Sequence, residues 1–116
     1  MPTAFDVAPV GPTSGGKVYA YNNLSTTPEV VAPANQFRTQ LTFHNPGTVD
    51  VFIAPMVQVN NGSQVPLVPT TSALGGCFRV YANGGQLTIR GECSGQWQAF
   101  SASASGNPLT VMDSNV

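Results

Sequence analysis

The chain has 116 residues, enough for one domain that folds on its own apolar core. Charged side chains make up only 8% of it, and a formal net charge of -1 leaves no basic stripe of the kind nucleic acid requires. No stretch reaches the roughly 18 apolar residues that cross a bilayer, and the start, MPTAFDVAPV, lacks the basic and apolar regions of a secretory signal, so a protein made and kept in a cytosol is expected.

Residues 11–18 read GPTSGGKV, with Gly11, Gly16 and Lys17 at the spacing of a phosphate-binding loop. That loop works only when a strand delivers it and a helix begins at the Lys, so that backbone N–H groups point at the anion. Here Val18 replaces the Ser or Thr that would hold magnesium, and VYAYNN favours strand over helix. No nucleotide site is expected. Five prolines punctuate residues 1–35, where only KVYAY and EVVA look strand-like. The recurring Phe5, Val7, Val10, Tyr19 and Tyr21 distinguish this stretch from a Gly/Ser linker. It reads as an extended arm over residues 1–35, lying on a neighbouring surface or covering an edge of its own domain's sheet.

From residue 36 to 116 the alternation has period two, with Gly, Pro and Asn punctuation at short intervals. QFRTQLTFH, residues 36–44, places Phe37, Thr39, Leu41 and Phe43 on one face. NPGT follows, where Pro46 and Gly47 suit a type II turn, and then VDVFIA with Val49, Val51 and Ile53 on one side. The two segments are expected to form a hairpin. MVQV, 56–59, reads as a short strand before the long irregular loop NNGSQVPLVPTTSALGG. FRVYA, 78–82, and QLTIR, 86–90, read as a second hairpin with Phe78, Val80, Leu87 and Ile89 inward. Cys77 and Cys93 flank it. A two-residue turn at Asn83-Gly84 sets Cys77 opposite Arg90, whereas a three-residue loop sets it opposite Cys93, within disulfide reach. Free thiols are expected, because a cytosol keeps cysteines reduced. QWQAFSAS, 96–103, puts Trp97 and Phe100 on opposite faces, and PLTVM, 108–112, ends the domain with Leu109 and Val111 inward.

The chemistry-bearing residues are sparse. His44 is the only histidine and Asp50 lies just across the same turn, but no G-x-S-x-G elbow accompanies them, and His44 reads as a turn-shoulder residue. Cys77, Cys93 and His44 lack metal-ligand spacing. Asp6, Glu29 and Asp113 fall in the arm or tail, which leaves Asp50 and Glu92 with no sign of a paired-carboxylate site. NLS at 23–25 and NGS at 61–63 match the glycosylation pattern, which matters only on secretion. Trp97, Tyr81 and Phe52 could line a sugar platform, although aromatics at alternating strand positions usually form core. No catalytic residue, cofactor or metal is expected.

From LTFHNPGTVDVFIAP onward the chain resembles small β-sandwich structural proteins encoded among the virion genes of tailed bacteriophages. The resemblance rests on the NPG turn at 45–47, VPLVP at 65–69, GGCFRVYANGGQLTIRGE at 75–92, GQWQAFSAS at 95–103 and NPLTVMDSN at 107–115. It covers about residues 41–115, contains no catalytic motif, and implies a capsid decoration, or cement, protein. The expected fold is all-β, an antiparallel β-sandwich with a jelly-roll arrangement open to it, occupying 36–116 behind an arm at 1–35. The expected partners are major capsid protein subunits and further copies of the chain on the virion surface, with no nucleic acid or membrane, and Phe5, Val7, Tyr19 and Tyr21 are the expected contact residues. The alternative is a carbohydrate- or receptor-binding module on a tail or head fibre, which requires exposed aromatics, Trp97 first.

Overall fold

The computed structural model describes residues 17–55, 57–60, 63–66, 76–91, 93–103 and 106–114, with the backbone alone of 57–60 and 63–66. Phe5, Val7, Asp6, Gly11, Gly16, Met56, the second sequon's Ser-preceding pair at 61–62, most of VPLVP and Glu92 lie outside the described residues. Among the described residues there is no helix; the chain forms an all-β antiparallel sandwich. In chain order the strands are β1 (Lys17–Leu24), β2 (Glu29–Ala32), β3 (Gln40–Asn45), β4 (Val51–Pro55), β5 (Val57–Asn60), β6 (Ser63–Pro66), β7 (Phe78–Val80), β8 (Gly85–Arg90), β9 (Trp97–Ser101) and β10 (Asn107–Ser114). One four-stranded sheet has the order β1-β10-β3-β8, the other β2-β9-β4-β7, and β5 pairs with β6 as a separate ladder with Asn60 opposite Ser63.

Alternation dictates the core. Leu41, Phe43, Leu109 and Val111 point inward from the first sheet; Val31, Val51, Ile53, Val80, Trp97 and Ala99 point inward from the second. Fully burying each Leu, Ile, Val or Phe is worth about 1.5–3 kcal/mol, so this layer supplies most of the driving force. β4 and β9 are buried on both faces, with Phe52 and Phe100 stacked at 5.3 Å on the side away from the core.

Both expected hairpins are replaced by crossings between sheets. β3 and β4 lie in different sheets, as do β7 and β8, so each short connection spans the sandwich. The physical reason at the first crossing is Asn45, fully buried. Its Nδ2 donates to Val49 O at 2.8 Å and Val80 O at 3.1 Å, and its Oδ1 accepts from Gly47 N at 3.0 Å. Gly47 does not adopt the positive φ of a type II turn; it is a glycine because a Cβ there would lie 2.7 Å from Pro108 Cδ. At the second crossing Asn83 and Gly84 take φ of 64° and 97°. Asn83 N donates to Gly47 O and Gly84 N to Asn45 O, so one crossing is stacked on the other. Neither hairpin register applies to the cysteines, and both are free thiols, Cys93 buried in the core.

Of the two expectations for the stretch before residue 36, its described part from residue 17 follows the second, lying along its own domain's sheets. β1 pairs with β10 and β2 with β9, so the strand-like parts of the expected arm are edge strands of the two sheets. Lys17 opens a strand, not a helix, which removes the structural context a phosphate loop needs.

The segment before β3 departs from its expected alternation as well. Phe37 is 69% exposed, whereas Arg38 is 3% exposed. A turn causes the inversion: Arg38 N donates to Asn35 O and Phe37 N to Asn35 Oδ1, so the strand starts only at Gln40. The Arg38 guanidinium then enters the end of the sandwich. It donates to Cys93 O at 2.8 Å, Pro33 O at 2.9 Å and Gly95 O at 2.6 Å, with Asp113 Oδ2 at 3.5 Å. Removing one member of a buried charged set costs about 3–5 kcal/mol, because the partners are left desolvated and unpaired. Arg38→Ala is expected to lower stability by about that amount, and Arg38→Lys is expected to recover little, since an ammonium cannot serve the same planar fork of acceptors. Urea unfolding of the three proteins measures both differences.

Candidate docking surface

The outward face of the first sheet is positioned by four paired strands, with side chains from half-buried to exposed. Its registers align side chains in rows across all four strands: Val18, Met112, Thr42 and Thr88, then Ala20, Thr110, His44 and Gln86. A third row holds Ser114, Gln40 and Arg90. Val18 is 64% exposed and Met112 40%. The Thr42 and Thr88 hydroxyls are 3.2 Å apart, and Arg90 Nε donates to Gln40 Oε1 at 3.2 Å. Arg90 is the one Lys, Arg, Asp or Glu in these rows. A surface of Thr, Gln and apolar groups costs less to desolvate than a charged one, and its hydroxyls can each donate to or accept from a partner.

A smaller exposed group lies at the β7 edge. The Arg79 guanidinium sits 4.8 Å from the centre of the Tyr81 ring and 5.8 Å from that of Phe52. Its Nε donates to Asp50 Oδ2 at 2.9 Å, and Nη2 donates to the same oxygen. Asp50 Oδ1 accepts from Ala82 N at 2.8 Å. The Arg79 hydrogen bond, with that from Ala82 N, holds the Asp50 carboxyl below its ordinary range.

The expected site residues are distributed as follows. His44 lies in the second outward row between Thr110 and Gln86, while the oxygens of Asp50 accept from Arg79 and Ala82. Among the described residues no group of three His, Cys, Asp or Glu could hold a metal ion. Trp97 is only 4% exposed, packed between Phe43 at 5.9 Å and Phe78 at 6.2 Å, and Phe52 is buried; the sugar platform is therefore corrected to core, with Tyr81 alone exposed. Tyr19 and Tyr21, expected as contact residues, pack half-buried against the core. Tyr21 OH donates to Val31 O at 2.9 Å, tying β1 to β2 across the open side of the sandwich. Partial burial, with Tyr19 and Glu29 nearby, raises the Tyr21 pKa, which keeps that donor protonated.

Val18 and Met112 were not among the residues singled out from sequence. Their signal was present: Leu109 and Val111 inward leaves Thr110 and Met112 outward, and Tyr19 inward leaves Val18 outward. No protein-family model matches the chain, and no curated protein matches it.

The Asp50 contacts carry a pH dependence of definite sign. A carboxyl whose pKa is lowered on folding stabilises the fold fully above its unfolded value, about 3.9, and that contribution is lost as pH falls through the folded value. Asp50→Asn is expected to unfold at a lower temperature than the parent at neutral pH. Between about pH 4 and pH 2 its melting temperature is expected to fall less steeply than the parent's. Thermal unfolding followed by circular dichroism across that range checks the difference in slope.

Proposed function

We propose that this chain is a structural virion protein of a tailed bacteriophage, a decoration protein that binds assembled capsid subunits and stabilises the particle. The observation that carries the reading is the outward face of the first sheet, built by four paired strands, lined by Val18, Met112 and threonines, and almost without charge. Such a face suits burial against another protein better than it suits catalysis or nucleic-acid binding. The sequence resemblance over residues 41–115 supplies the class of partner. Phe5 and Val7 remain proposed contacts, carried by the segment that precedes β1.

The mechanism is mass action. A protein that binds only the assembled lattice shifts the equilibrium toward it, by about 2.7 kcal/mol per site when free protein is at a hundredfold excess over its dissociation constant. Many identical sites on one shell multiply that effect, and no bond is made or broken.

The test places a charge in the middle of the face. Thr42→Glu sits between Met112 and Thr88 on the outward side, where it leaves the core untouched. Burying that carboxylate unpaired against a capsid costs a few kcal/mol, so occupancy on purified phage heads is expected to fall about tenfold or more. Thr48→Glu, at the exposed crossing between β3 and β4, is expected to leave occupancy unchanged. Co-sedimentation of each variant with heads that lack the protein measures this, and full binding by Thr42→Glu would overturn the reading.

A further inference from the structure

The two sheets treat their edges differently. The second sheet ends in β2, four residues with an irregular register and Pro28 and Pro33 close by, and in β7, three residues. Short, interrupted edges are the usual guard against unwanted strand pairing. The first sheet ends in β8, six residues whose outward side chains are Gln86, Thr88 and Arg90, and in β1, eight residues whose outward side chains include Val18 and Ala20. Among the described residues no strand pairs with the far edge of β1. Between Lys17 and Tyr21 β1 keeps a regular register with β10, and it carries neither proline nor a charge beyond its first residue.

We infer that β1 is a self-association edge: two copies of this chain pair their β1 strands antiparallel about a two-fold axis at Tyr19, joining their four-stranded sheets into one continuous sheet. Directly opposite residues of an antiparallel pair share a face. An axis at Tyr19 therefore sets Val18 of each copy opposite Ala20 of the other on the outward side, and Lys17 opposite Tyr21 on the inward side. This register uses only the regular segment 17–21. An axis one residue later would need Asn22, which falls where the pairing with β10 becomes irregular, between Tyr21 and Leu24. It also keeps the two Lys17 side chains apart and lets each meet an aromatic ring. Val18, already beside Met112 in its own sheet, gains Ala20 of the second copy as its other neighbour, which covers a valine that is 64% exposed. At a net charge of -1 each, the two copies repel little.

The inference is independent of what the outward face binds, because it is tested on the purified full-length chain with no particle present. Sedimentation equilibrium of the parent protein is expected to give a dimer. Val18→Lys/Ala20→Lys sets like charges opposite each other twice across the seam, and the dimer dissociation constant is expected to rise about tenfold or more. Val18→Lys/Ala20→Glu restores opposite charges in this register alone and is expected to dimerise like the parent. Thr88→Lys, at the other edge, is expected to change nothing. All substituted side chains are exposed, and near-UV circular dichroism reports whether the fold is kept. A monomeric parent, an unaffected Lys/Lys variant, a monomeric Lys/Glu variant, or a dimer lost on Thr88→Lys would each overturn the inference.

Discussion

A guanidinium almost out of contact with water closes one end of this sandwich. Three main-chain carbonyls, from Pro33, Cys93 and Gly95, point into the space where the connection after β2 meets the segment leading to β9. Left without donors they would carry a full desolvation penalty, and only a planar, permanently charged fork reaches all three at once. Arg38 does so and brings its charge beside Asp113 of β10. The consequences spread outward. Because Arg38 turns in, Phe37 turns out; because the turn ends there, β3 begins at Gln40 and holds its register with β10 and β8. Asn45 does the equivalent work at the other end of the same strand, so β3 is pinned by a buried polar group at each end and by apolar residues between.

This arrangement explains which parts of the fold were legible in the sequence. Period-two alternation identifies which side chains face the core, and it did so for Leu41, Phe43, Val51, Ile53, Leu109 and Val111. It does not identify the sheet a strand joins, because two strands facing one core from opposite sides show the same alternation as two neighbours. The turn residues were equally ambiguous. Asn83-Gly84 adopts the positive φ values typical of a tight hairpin, yet its flanking strands diverge to different sheets. Asn45-Pro46-Gly47 reads as a turn, but the deciding contacts, Asn45 to Val80 and Gly47 to Pro108, are long-range. The expected irregular loop after VQVN is corrected in its first part: β6 pairs with β5, and Asn61-Gly62 between them is the local hairpin signal that the loop reading passed over.

The surface was less legible than the core for a related reason. A docking face without charge has no motif; it is whatever the inward alternation leaves over. The rows of Val18, Met112, Thr42 and Thr88 become a surface only when four strands distant in sequence are placed side by side. The aromatic residues that drew attention in the sequence, Trp97 and Phe52, serve packing instead, and Tyr19 and Tyr21 close the side of the sandwich where β1 and β2 approach.

The pairing of β1 with β10 has a consequence for how the molecule is made. These strands come from opposite ends of the described chain, and every neighbour within the first sheet is a long-range partner. β3 and β8 can pair earlier, but β10 lies between β1 and β3, so the sheet cannot be completed on a ribosome until β10 has left the exit tunnel. Loop-closure entropy is met before most of the contacts that offset it form, which makes for slow, all-at-once collapse. A nascent chain of this topology therefore waits with its apolar alternations uncovered, and its low charge gives it little protection from its neighbours while it does.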